Sequence, residues 1–146
     1  MGLDMIIQYQ KVTDETTTYR LATPDGATEL AEIDGITYVS LPDGAELPEQ
    51  PEQIAASVST VTLTDPLRDA IKAASPHCQL ISERVIERIR DRYTYDDELY
   101  FARITIGQQK GLYQMTAAEM AEVQAFGAFV EAARQWGRAE RAKLGL

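Results

Sequence analysis

Two rhythms divide this chain. As far as Leu41 the apolar residues come in short, partly alternating runs, and from Asp65 onward they recur every three or four positions. The strings MIIQYQKV, TTTYRLAT, ATELAEI and ITYVSL are rich in β-branched and aromatic residues, and in the last of them Ile36, Tyr38 and Ser40 alternate with Thr37, Val39 and Leu41. Period-two alternation of this kind marks a strand with two unlike faces. The runs are punctuated by Asp25-Gly26, Asp34-Gly35 and Asp43-Gly44 at nine-residue spacing, the first and third preceded by Pro24 and Pro42. Asp-Gly suits a tight turn because glycine takes positive φ without steric cost and aspartate tolerates it. The pattern predicts an antiparallel meander over residues 4–42.

The string LPDGAELPEQPEQ that follows has three prolines, four acids and few apolar residues. It reads as an extended linker held over the surface. Next, Val61 and Leu63 alternate with Thr60, Thr62 and Thr64, which predicts one more short strand. The rest is helical, and its start signals are explicit. Asp65 precedes Pro66 and Ser75 precedes Pro76, each placing a capping side chain ahead of a proline whose missing N–H costs nothing in the first turn. Helices are predicted over residues 66–74 and 76–92, the second with Ile81, Val85 and Ile89 on one ridge and Cys78 and Ile86 nearby. A third begins at Thr94, with Asp96, Asp97 and Glu98 at the positive end of its dipole, and ends near Gly107. The last opens with the capping box Thr116-Ala117-Ala118-Glu119 and runs toward Lys143, about 40 Å at 1.5 Å per residue. The expected fold class is therefore α+β: an acidic β-rich module over 1–44, a proline-rich acidic linker and possible strand over 45–64, and a four-helix domain over 65–146.

Charge sharpens this division. The net charge of −9 resides entirely in the first part, where eleven acidic residues up to Leu63 face only Lys11 and Arg20; beyond it twelve acids balance twelve bases. Such a balance opposes nonspecific association with nucleic acid or anionic lipid, whose affinity comes from Lys and Arg. A 146-residue chain buries roughly two thirds of its unfolded surface and needs no staple. Cys78 is the only cysteine, so no intrachain disulfide forms, and with His77 as the only histidine the soft ligands are too few for zinc. No apolar run approaches the ~20 residues of a membrane span, and the beginning lacks the flanks of a secretory signal, so folding in a cytoplasm is the expectation.

Candidate chemistry is sparse. The last helix has two apolar seams: Val123, Phe126, Val130 and Ala133 on one, Ala125, Phe129, Ala132 and Trp136 on the other. The second seam is a candidate subunit interface, the alternative being a more deeply buried helix. Arg84, Arg88 and Arg92 form a row four residues apart, repeated by Arg134 and Arg138 with Arg141 and Lys143 beyond. Such a row suits an acidic partner surface, or simply a solvated face with Glu87 and Asp91 as neighbours. The string RYTYDDELYF groups three tyrosines and three carboxylates, but consecutive acids diverge around a helix and already serve its first turn. His77 and Cys78 are adjacent, so their side chains point about 100° apart and make no nucleophile–base pair. No phosphate loop, nucleophile elbow or paired-histidine zinc motif occurs. No catalytic, metal or cofactor residues are assigned.

The blocks TLTDPLRDAIKAASP, ISERVIERIRDRYTYDDELYFARI and QAFGAFVEAARQWGRAERAKLGL resemble the small accessory proteins encoded among phage tail genes. In that family a charged helix gives way to a Tyr/Ser turn and an acidic helix start, matched here by Ile89 to Leu99 and Arg103, and a final helix carries the pattern matched by Phe126 to Val130. The Pro-Asp-Gly turns and acidic linker are similar to the front of short proteins found beside tail-fibre genes. The resemblance covers about half the chain and implies a role in the virion or its assembly, without a reaction. It leads us to expect a noncatalytic bacteriophage structural protein, a tail- or baseplate-proximal adaptor that contacts other tail proteins, copies of itself, or both. The alternatives are an assembly chaperone not retained in the virion, and a small cytoplasmic enzyme or ligand-binding domain using Tyr95, Asp97 and His77.

Overall fold

The computed structural model describes residues 5–146, and the expected start of the meander at Asp4 lies outside them. The protein is α+β, with antiparallel strands followed by helices. Strands β1 (Met5–Tyr9), β2 (Val12–Thr13), β3 (Thr18–Tyr19), β4 (Thr28–Ile33) and β5 (Ile36–Leu41) precede a single helical turn, α1 (Glu52–Ala55), and the short strand β6 (Ser59–Thr60). Helices α2 (Asp65–Ala74), α3 (Pro76–Arg90), α4 (Tyr95–Gln109) and α5 (Ala117–Ala142) complete the chain. It divides into two compact units, one formed by residues up to Leu80 with Glu140–Leu146, the other by Ile81–Ala139.

In the first unit four strands form an antiparallel sheet in the order β4-β5-β1-β6, while β2 and β3 pair separately as a ribbon. Only Asp34-Gly35 joins neighbours in the sheet: Asp34 at φ 51° and Gly35 at φ 81° make the two positive-φ corners of a primed hairpin turn, with Ile33 opposite Ile36. Asp25-Gly26 and Asp43-Gly44 are also turns, closed by Ala27 N–H to Pro24 C=O and Ala45 N–H to Pro42 C=O, but their flanking segments do not pair with each other. The strand β5 is almost wholly buried because both faces of the sheet are covered. On one side Ile7, Tyr9, Val39 and Leu41 pack with Leu21 and Ile54. On the other, Ile6, Leu30 and Tyr38 pack with Ile71 of α2, and Leu144 and Leu146 close that layer.

The proline-rich segment runs outside both sheets, with residues 42–53 exposed or half-exposed, and is pinned at a few points. The Gln50 amide is clamped to Ala22, accepting from its N–H at 2.8 Å and donating to its C=O at 2.8 Å, as a neighbouring strand would. Leu47 packs on the sheet and Ile54 is fully buried, so few apolar residues suffice to fix the segment. The cap of α2 is Thr64 instead of Asp65: Leu67 N–H donates to Thr64 Oγ1 at 3.3 Å, and Asp65 enters the first turn to pair with Arg68 at 3.0 Å. Ser75 serves as expected, its Oγ accepting from Cys78 N–H while its own N–H closes the end of α2 on Ile71 C=O.

The second unit is built from the later turns of α3, all of α4 and most of α5. Both remaining helix starts carry reciprocal capping boxes: Thr94 with Asp97, and Thr116 with Glu119. The unit's centre is aromatic. The Tyr93 ring lies 6.0 Å from Phe101, 5.0 Å from Phe126 and 5.6 Å from Phe129, all edge-on. Such pairs add about 0.5–1.5 kcal/mol each beyond the area they bury.

Candidate interaction surface of the helical unit

The apolar positions of α5 form one stripe where two seams were expected. At 100° per residue Phe126, Phe129, Val130, Ala133 and Trp136 fall within an arc of about 120°, and all five are buried or half-buried. Ala125 and Ala132 lie on its flank and are exposed. Phe129 belongs to the aromatic cluster, and Trp136 is covered by the Arg88 guanidinium 3.9 Å from its ring centroid.

The arginine row is distributed likewise. Arg84 and Arg88 line a shallow cleft of about 350 Å³ with Glu87, Asp91 and Trp136. Arg92 stands over Phe129 at 5.2 Å and Tyr93 at 5.6 Å. A planar, weakly hydrated guanidinium loses little by lying on a ring face. Arg90, outside the expected row, is the most engaged: it bonds Glu98 at 2.7 Å, donates to Tyr93 C=O at 3.2 Å and lies 3.7 Å over the Tyr95 ring. The hydrogen bond from Arg90 to Glu98 raises its pKa further above an already high value.

A second apolar surface is on α4. Phe101 and Ile104 point into the unit and are buried. Tyr95, Leu99, Ala102 and Ile106 occupy the opposite side, spaced four, three and four residues apart, and the three large ones are exposed by 64%, 51% and 56%. A helix apolar on two opposite sides has one side to bury within its own unit and one left for another surface. The 4-3-4 spacing was visible in the sequence, but nothing local says which side the rest of the chain covers.

The turn between α4 and α5 is held by one carboxylate. Glu119 accepts from Thr116 N–H at 2.9 Å, from the Tyr113 hydroxyl at 2.7 Å and from the Tyr100 hydroxyl at 2.8 Å. These bonds, the Thr116 backbone first and the two phenols next, hold its pKa at about 2, below the usual 4.5. The same contacts push both phenols upward, the hydrogen bond to Glu119 being the main cause in each. Gly107 admits this arrangement because a Cβ there would meet Tyr113 Cβ at 3.0 Å. The perturbed carboxylate thus has a capping role that accounts for it.

The remaining candidates have separate local roles. Cys78 is buried, and His77 is exposed at the rim of an open depression of about 520 Å³ lined by Ala27–Glu32, Ala74 and Pro76. Asp97 is spent in its capping box and Tyr95 beneath Arg90. Among the described residues no three His, Cys, Asp or Glu side chains converge as metal ligands, and no helix is long and apolar enough to cross a membrane. Comparison with known proteins finds no matching family model, no matching curated sequence and no matching solved structure.

Proposed function

We propose that the chain is a noncatalytic bacteriophage virion protein, a tail- or baseplate-proximal adaptor working through protein–protein contacts of its helical unit. The observation that carries this reading is the solvent-facing apolar side of α4, where Tyr95, Leu99 and Ile106 are each at least half exposed. A soluble protein seldom leaves an apolar stripe uncovered unless another surface covers it. The resemblance of three blocks within the helical part to small tail accessory proteins supplies the virion context, and the capping duty of Glu119 supports a structural explanation for the one strongly shifted carboxylate. Its partners on this reading are other tail proteins, copies of itself, or both.

Quantitative mass spectrometry of purified particles, produced from the phage genome that encodes the chain, tests the proposal. An adaptor is retained at a fixed ratio to the tail proteins. Abundance in the lysate with absence from finished particles would overturn the adaptor reading and favour an assembly chaperone. Absence from both particles and tail intermediates would contradict any tail role.

A further inference from the structure

We propose that the outer side of α4 is a two-fold interface with a second copy of this chain, the two α4 helices lying antiparallel with Asp96 against the partner's Arg103. The inference deepens the adaptor reading, on which it rests, by naming the occupant of the exposed stripe. Three observations carry it.

The first is the period. Tyr95, Leu99, Ala102 and Ile106, spaced four, three and four residues apart, fall within an arc of about 60° at 100° per residue, a stripe narrow enough to be the contact between two helices. Ala102 is the small residue that lets the axes approach. The second is charge. Asp96 and Arg103 flank the seam on the same side, seven residues apart, and neither forms an ion pair within the chain among the described residues. In an antiparallel pair that sets Leu99 against the partner's Ala102, Asp96 comes beside the partner's Arg103, and the two-fold repeats the pair. A parallel pair would instead offer Arg103 the partner's Glu98, which Arg90 already holds at 2.7 Å, and would bring the acidic starts and like dipole ends of both helices together. The third is preorganisation. The Arg90 guanidinium fixes Tyr95 at one end of the stripe, and Phe101 and Ile104 anchor α4 from within. A seam of about 17 Å would be too short for two isolated peptides, but these helices are already folded and association need not order them.

The test is sedimentation equilibrium on the full chain with reversed charges. The wild type is expected to dimerise. Asp96→Arg alone and Arg103→Asp alone each set like charges together twice, and each is expected to raise the dimer Kd by about tenfold or more. Mixing the two single variants restores both pairs in the heterodimer, as does Asp96→Arg with Arg103→Asp in one chain, and both should return to near the wild-type Kd. Circular dichroism establishes that every variant is folded. An Asp96→Arg protein that dimerises like the wild type overturns the antiparallel pairing, because a parallel pair does not use that residue. A wild-type monomer, or a dimer indifferent to both reversals, overturns the interface itself. A monomer found at fixed ratio in particles would refute this inference and leave the adaptor reading standing; an α4-paired dimer absent from particles would do the reverse.

Discussion

At the scale of single residues, side chains far apart in sequence decide how the chain is held. Gln50 stands in for a strand against Ala22, and a Gln50→Leu variant leaves both backbone groups of Ala22 without those partners. It is expected to lower stability by about 1–3 kcal/mol in urea unfolding, whereas Glu49→Ala, which touches nothing comparable, should stay within about 0.5 kcal/mol. Ile71 is fully buried between α2 and the sheet, and Ile71→Ala should cost about 2–5 kcal/mol by the same assay. Residue-scale roles were legible where the determinant is local. Ser75 and the capping residues Thr94, Thr116 and Glu119 were visible because a cap and its target lie three residues apart. The Gln50 clamp was not, because its partner is 28 residues away and no composition rule points to it. Thr64 and Asp65 are not distinguished as caps by sequence, because both are good caps and the proline tolerates either frame.

Among the elements, the helices follow the pattern closely and the strands less so. Prolines, caps and a 3.6-residue period lie within each helix, so α3, α4 and α5 begin where their signals stand. Sheet order depends on pairings across dozens of residues: β1 lies beside β5, with Ile7 opposite Val39, and no local signal specifies that neighbour. The α4–α5 hairpin yields a pH prediction. Because the folded pKa of Glu119 is about 2, below the usual 4.5, its contribution is fully present above about pH 4.5 and is lost as pH falls toward 2. The Tyr100 and Tyr113 hydroxyls are shifted the other way, so their contribution is present below pH 10 and is lost as pH rises through their folded values. Hydrogen exchange of the amides around Thr116 should therefore accelerate between pH 4.5 and 2, after correction for the intrinsic rate, and Glu119→Gln should remove that dependence.

For the whole molecule, the question is which apolar surface serves the fold and which serves a partner. The α5 stripe is committed inside the helical unit through Phe129 and Trp136, so Phe129→Asp should unfold that unit, seen as lost helical ellipticity. The large residues of the α4 stripe are each at least half exposed and none belongs to the aromatic cluster, so charging Leu99 and Ile106 should leave the fold intact. Only half of this contrast was legible in advance: the apolar residues of α5 stood out by number, whereas those of α4 divide between two sides of one short helix. The most direct measurement is light scattering coupled to size-exclusion chromatography on the wild type and on a Leu99→Asp, Ile106→Asp variant. The account predicts a wild-type mass of twice the 16.2 kDa chain and a folded monomer for the variant. Identical masses for the two proteins, or a wild-type monomer at every concentration, would contradict it.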